Sequence, residues 1–371
     1  PVVQVYGQVI GRATMKSDVI TSPISAEVTR SCGVIQQWGP PMLRENFPYQ
    51  RTLTHSAQPA IGFPGKLLNK AVRSYEDQVL HIYVSMPQLA TTRPLTKQET
   101  ISGIDGLRFV DPMKKNSAIG FPLTGPKSRY MKDLPPTEYH AAPSAFEDRF
   151  WDMFDATCVE FRAGNRSCLI FKACLKDTPT LLGCDKVRKF DAGHIVAQLG
   201  IRMFFLPLAR HLSLFPLVSE CAVGINSESP EWEEMHFHVS KYGMKRTLAG
   251  DYSKYDARMP AQLICAAFRI LIEMARRCDY TEDDICLMEG FATEVVYAYS
   301  AFNGELIQFI GSNPSGHSLT VYINSIVNSL MLRCAYYSMY PFRSFSANVA
   351  LMTYGDDCIA SVTKRCDKFN N

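Results

Sequence analysis

Val349–Val362 reads VALMTYGDDCIASV. Apolar residues flank a Gly-Asp turn on both sides, the pattern of a two-stranded hairpin with a tight connection. The tip is unusual. Asp356 and Asp357 set two like charges side by side between strands that read as buried. Two carboxylates about 4 Å apart repel by about 4 kcal/mol at an effective dielectric of 20. Such a pair calls for a compensating positive charge. Asp is also common in turns, so a plain solvated turn explains this tetrapeptide equally well by itself.

The rest of the chain narrows the choice. It has 371 residues, 46% hydrophobic and 20% charged, with a net charge of +3. That length suggests two or three lobes, and the composition is that of an ordinary globular protein. A net charge this small excludes a uniformly basic nucleic-acid coat, so any basic surface must be local. Twelve cysteines are scattered with no Cys-x-x-Cys pair, which favours a reducing compartment over a disulfide framework. No apolar run reaches the ~20 residues that cross a bilayer. Ile201–Val218 is interrupted by Arg202, Arg210, His211 and two prolines, and reads as a buried helix plus a loop.

Most of the 22 prolines precede residue 150, so an extended, irregular lobe is expected there. Residues 165–193, NRSCLIFKACLKDTPTLLGCDKVRKFDAG, read as two strands joined by a loop. Helical periodicity appears near 194 and runs to about 214. It returns in Pro260–Cys278, with proline in the first turn, and again over roughly Ser318–Tyr337. Strand-like segments lie at 246–252 and 301–311. Helices and strands without a regular βαβ rhythm predict an α+β fold.

Three further segments carry chemistry. LAGDYSKYDARMP puts Asp251 at the end of an apolar strand and Asp256 five residues later, just before a helix. A carboxylate at a strand end could join Asp356 around Mg²⁺, a hard cation that keeps waters and accepts phosphate oxygens. Asp256 alone reads equally well as a helix N-cap. GSNPSGHSLTVYINSIVNSL, 311–330, runs from a Gly/Ser/Pro loop into a helix. There Gly316, Thr320, Asn324 and Asn328 recur every four residues as one uncharged polar stripe. A polar stripe on an otherwise apolar helix must face a partner or a wet cavity. The third is the 165–193 pair. Lys172 and Lys176 share one face and Lys186 and Arg188 another, with Lys189 beside them, a surface suited to triphosphate or RNA backbone.

Each signal is moderate, but their order is specific. Basic hairpin, Asp-x4-Asp, Ser-Gly loop with Thr and Asn on its helix, then Tyr-Gly-Asp-Asp, together resemble the RNA-dependent RNA polymerases of picornavirus-like positive-strand RNA viruses (order Picornavirales type). The resemblance covers roughly residues 100 to 360. LRFVDPMKKNSAIGFP (107–122) is similar to the family's motif at the mouth of the template channel, and KDTPTLLGCDKVRKF (176–190) to its finger motif over the NTP tunnel. DYSKYD, PSGHSLTVYINS and YGDD match its three palm motifs.

The resemblance implies a right-hand polymerase, fingers plus palm with an antiparallel palm sheet. Residues 1–195 would be fingers, including the basic hairpin 165–193. Residues 196–371 would be palm, with a finger insertion near 260–310. Asp251, Asp356 and Asp357 would be the catalytic, metal-holding residues for two Mg²⁺ ions, with Mn²⁺ as a substitute. Lys176, Lys186, Arg188, Asp256, Ser315, Thr320 and Asn324 would bind the nucleotide, with Asp256 and Asn324 at the ribose 2′-hydroxyl. Lys172, Lys189, Ser117, Gly120 and Gly316 would contact RNA. The implied partners are RNA template and product strand, NTPs, a small viral protein primer and other viral replication proteins. The implied product of a viral polyprotein would work in the host cytoplasm at virus-induced membrane replication sites.

The family's general-acid lysine, primer-grip hairpin and thumb have no counterpart after Val362, and Lys364 and Lys368 lie too close to the hairpin to stand in. A fragment lacking its thumb, poorly active alone, is therefore expected. A reverse transcriptase is the nearest competing enzyme, but it normally excludes the 2′-hydroxyl with a bulky side chain where this chain offers Asp256 with Asn324. A catalytically silent RNA-binding fragment is the non-enzymatic alternative. Cys32 in SCGV lacks the context of a protease nucleophile, and His236-x-His238 lies in a helical stretch that reads as packing.

Overall fold

The computed structural model describes residues 2–9, 16–43, 47–58, 62–184 and 187–369. The elements that position the site are, in chain order, β1 (Val2–Gln8), α1 (Gly65–Ser85), α2 (Asp148–Arg162), β2 (Ile170–Leu175), β3 (Lys189–Ala192), α3 (Ile195–Leu214) and α4 (Pro230–Val239). Then follow β4 (Thr247–Gly250), α5 (Ala261–Ala275), α6 (Glu282–Val296), β5 (Tyr299–Phe302), β6 (Glu305–Ile310), α7 (Thr320–Met339), β7 (Val349–Tyr354) and β8 (Asp357–Val362).

Two sheets organise the molecule. The first has the order β7-β8-β4, all antiparallel. Val349, Leu351, Ala360 and Val362 of this sheet are buried in the main core. The second sheet has five strands in the order β1-β6-β5-β2-β3, antiparallel except for the parallel pair β2 and β5. Along β2, Phe171, Ala173 and Leu175 are buried while Lys172 and Cys174 are half-buried, the alternation of a one-sided strand. Ala173 and Leu175 meet Tyr49, Phe302, Ile307 and Phe309 in a small core of their own. The basic strand pair expected over 165–193 is thus β2 and β3, paired from Lys172–Ala192 to Leu175–Lys189.

The proline-rich first third is more helical than its composition suggests. α1 spans 21 residues and buries Leu68, Ala71, Val72, Tyr75, Val79 and Ile82 along one face. That spacing of three and four is a plain amphipathic signal. The prolines lie outside it, with Pro64 at its N-cap and Pro87 just past its end. α2 follows the same rule with Phe150, Phe154, Cys158 and Phe161. α1 packs on α7 and α5, and one core runs from Leu68 to Phe369. α3 is the one described helix long and apolar enough to cross a membrane, and it lies inside this core.

Beside α7, a buried charge pair ties four segments together. Arg333 is fully buried and Glu220 nearly so. Arg333 donates from Nη1 to Glu220 Oε2 at 2.6 Å and from Nη2 to Oε1 at 2.8 Å. Ser329 and Gln78 also donate to this carboxylate, at 2.6 and 3.1 Å. The Glu220 carbonyl accepts from the Thr353 N–H at 2.7 Å, joining the cluster to β7.

Candidate active site

The hairpin forms where the sequence places it. Tyr354 pairs with Asp357, so Gly355 and Asp356 are the two turn residues and Asp357 opens β8. Gly355 has φ of 64°, a left-handed conformation that glycine adopts without strain. α7 holds this turn from behind. Asn328 Nδ2 lies 3.1, 3.0 and 3.2 Å from the carbonyl oxygens of Gly355, Asp356 and Asp357. The Gly355 N–H donates to Ser325 Oγ at 2.9 Å. The turn is therefore fixed through its backbone, which leaves both carboxylates free.

β4 brings in the third carboxylate. Gly250, its last residue, pairs with Cys358. The ladder ends there, and Asp251 is the next residue of the chain, so it leaves the strand at the same end of the sheet as the turn. Asp251, Asp356 and Asp357 thus lie in the segments at one end of the sheet. Among the described residues neither Asp356 nor Asp357 forms an ion pair, and no three His, Cys, Asp or Glu side chains close into a metal cage. Carboxylate is the donor type a hard divalent cation takes, with water and phosphate oxygens completing its shell.

Asp256 sits in the short helical turn Tyr255–Arg258, whose N-cap is Lys254; the N-cap of α5 is Pro260. The N-cap role is thus excluded for Asp256. Its Oδ1 accepts from Asn324 Nδ2 at 2.5 Å instead. Protein crowds this carboxyl on most sides while one side stays open to solvent. Burial pushes its pKa up, the Asn324 bond pulls it down, and the neighbouring Asp356 charge pushes it up further. Asp356 therefore lies close enough to Asp256 to bias its ionisation. Tyr255 supports the pair by donating to the Asn324 carbonyl at 2.9 Å.

The polar stripe is largely satisfied by protein. Thr320 Oγ1 donates to the carbonyls of Pro314 and His317, at 3.1 and 2.9 Å, and so closes the loop onto the helix. Ser315 Oγ accepts from the Asp191 N–H at 2.9 Å, tying that loop to β3. Gly316 packs at main-chain distance. A Cβ there would lie 2.4 Å from Gly193 N, and one on Gly120 would lie 2.1 Å from Gly193 O. Three backbones thus stack where the 114–126 loop, β3 and the 311–319 loop cross. Ser117, at the edge of this stack, accepts from Lys127 Nζ at 2.7 Å. Lys127 is buried, which pushes its ammonium down to about 8. Nothing in its sequence neighbours marks it as buried.

Among the basic residues, Lys172 and Lys176 are half-buried and Arg188 is exposed. Lys189 is spent locally on Asp191, 2.6 Å away. Lys186 lies outside the described residues. Asp177 accepts from Ser17 Oγ and from the Asp18 N–H, both at 2.6 Å, and so holds the N-terminal segment over the basic strands. A cavity of about 760 Å³ lined by Lys70, Arg73, His81, His238 and Val349 opens at the far end of β7 from the turn, away from these carboxylates.

Comparison with known proteins agrees with this geometry. The family model "Viral RNA-dependent RNA polymerase" matches residues 49–369. The genome polyprotein of Deformed wing virus is 27% identical over 292 residues, covering 74% of this chain and 10% of that protein. The replicase polyprotein of Drosophila C virus (strain EB) is 25% identical over 304 residues, 75% of this chain and 17% of the other. The chain thus spans a small part of the polyproteins it matches. In overall fold it is similar to the Sicinivirus 3Dpol RNA dependent RNA polymerase, with a TM-score of 0.73 at 18% identity, covering 98% of this chain and 72% of that one.

Proposed function

The chain belongs to the viral RNA-dependent RNA polymerase family, and from that premise we propose that it carries out templated nucleotidyl transfer from NTPs onto a growing RNA strand. The observation that carries this reading is the Gly-Asp turn of β7–β8 at the sheet end where β4 stops one residue short of Asp251, together with the Asp256–Asn324 hydrogen bond. Asp251 and Asp356, supported by Asp357, would hold two Mg²⁺ ions. Those ions, when bound, would activate the attacking 3′-hydroxyl and neutralise the departing pyrophosphate.

The protein's own groups divide the remaining work. α7 fixes the turn through Asn328 and Ser325, so the carboxylates are held before substrate arrives. Asp256 and Asn324 offer an acceptor and a donor to the ribose 2′-hydroxyl, which can both give and accept a hydrogen bond. Lys172, Lys176, Lys186 and Arg188 supply positive charge for the triphosphate and RNA backbone. Ser315, Thr320, Gly316, Ser117 and Gly120 shape the crossing loops along the RNA and nucleotide path. In this reading residues 1–195 act as fingers and 196–371 as palm, with the segment near 260–310 returning to the finger sheet through β5 and β6. A small protein primer, other viral replication proteins and a site on host cytoplasmic membranes follow from the same reading, supported by viral polyproteins among the relatives.

The test is Asp356→Ala in the full-length enzyme. Templated incorporation of NMP is expected to fall below detection while RNA binding stays within about twofold. A variant that retains more than a tenth of wild-type incorporation sinks the assignment.

A further inference from the structure

We propose that Asn313 and His317 are positioning residues for sugar discrimination, because they fix which way the Asn324 amide faces Asp256. The inference rests on the polymerase reading above. Both residues are buried, 3% and 7% exposed, so neither is placed to meet a nucleotide directly.

They lie on a line of hydrogen bonds whose direction is set at both ends. The Leu319 backbone N–H donates to His317 Nδ1 at 3.3 Å. A backbone N–H can only donate, so Nδ1 is the bare nitrogen and the ring proton sits on Nε2. Nε2 then donates to Asn313 Oδ1 at 3.2 Å. This turns Asn313 Nδ2 toward two acceptors, the Thr320 carbonyl at 3.3 Å and Asn324 Oδ1 at 2.7 Å. With its oxygen so engaged, Asn324 presents Nδ2 to Asp256 Oδ1 at 2.5 Å. At this far end an ionised carboxylate can only accept. A carbonyl anchors the middle in the same sense. Amide orientation is normally inferred from its partners, and here three independent partners agree.

The direction matters for a sugar hydroxyl. With Nδ2 outward, Asn324 has a second N–H for the 2′-oxygen, and Asp256 keeps Oδ2 for the hydroxyl proton. If the Asn324 amide were reversed, its oxygen would face the carboxylate, acceptor against acceptor, and the hydroxyl would lose its donor. A site built around a hydroxyl loses discrimination when its own polar groups no longer match.

Asn313→Asp tests this. The aspartate still accepts from His317 but has no hydrogen to give Asn324 Oδ1, and it draws Asn324 Nδ2 toward itself. In single-nucleotide addition by the full-length enzyme, the KM for ATP is expected to rise while that for dATP moves little. The ATP-over-dATP preference should fall by roughly tenfold or more, the scale of one hydrogen bond to a charged group. His317→Leu should lower the preference as well, and His317→Gln, which can both accept and donate, should restore most of it. A merely structural role would lower the melting temperature and slow both nucleotides alike, leaving the ratio unmoved. A folded Asn313→Asp enzyme with wild-type preference overturns the proposal. If that variant does not fold, Asn313→Ala and His317→Leu are read by the same ratio, and wild-type preference in both overturns it. Wild-type enzyme that incorporates neither nucleotide on a primed template overturns the polymerase reading, and this proposal with it.

Discussion

Asn328 holds the turn without touching either carboxylate, so the placement of charge and the charge itself are separate residues' work. Its Nδ2 faces three consecutive carbonyls. Asn328→Ala should cost about 1–3 kcal/mol of stability, the range for a buried polar group that loses its partner. Its effect on incorporation should be larger, about 10²-fold, because a displacement of 1 Å at reacting groups has that weight. Urea unfolding and single-nucleotide addition on the same preparation check both, and an unchanged rate in a destabilised variant refutes the positioning role. Asp251, Asp256, Asn324 and the Gly-Asp turn were legible in the sequence because their chemistry is carried by residue type at short spacing. Asn313, His317 and Lys127 were not. Each acts through a bond to a loop or helix whose approach depends on the folded chain, and nothing in SNPSGHS marks one amide as pointing at another.

At the scale of elements, α7 makes three separate attachments along its length. Its first turns set Asn324 against Asp256, its middle holds the Gly-Asp turn, and Arg333 further along locks it to Glu220. The fixed rise of a helix keeps these in register with one another. Breaking the buried pair from one side leaves an unpaired charge in the core. Arg333→Met should therefore destabilise the protein by about 3–5 kcal/mol. The double variant Arg333→Met/Glu220→Gln should recover part of that loss in chemical denaturation. Equal loss in single and double variants would show that packing of the arginine over Phe345 and Tyr75, at 4.2 and 5.0 Å, dominates instead. The polar stripe of α7 was readable at a period of four. The helical period of α1 is equally present in the sequence, although prolines are dense on either side of it. Composition averages over a segment, whereas a helix depends only on the residues inside its own boundaries. The crossing of Gly120, Gly193 and Gly316 could not be read at all, since three distant glycines carry no sign of mutual contact.

At the scale of the whole molecule, one core joins the first third of the chain to the last, so its protonation state is felt globally. Burial holds three imidazoles neutral, with His194 and His211 pushed down to about 4 and His317 to about 3. Unfolding returns each to about 6.5. As pH falls through that value the unfolded chain gains protons that the folded one refuses, so stability declines until the folded values are reached. Folding stability should thus fall steadily between pH 6.5 and about 4. Urea midpoints at half-unit steps measure this, and a flat profile from pH 7 to 4.5 contradicts it. The five-stranded sheet carries a different kind of consequence. Tyr6 on β1 reaches Gln308 on β6 across 302 positions of chain. At about 5–20 residues per second, a ribosome needs roughly 15–60 s to make that interval. For that time Val2, Val3 and Val5 form a strand with no sheet to join. β1 therefore waits through a long stretch of synthesis for its partner strand, and chaperone attention during that interval belongs there.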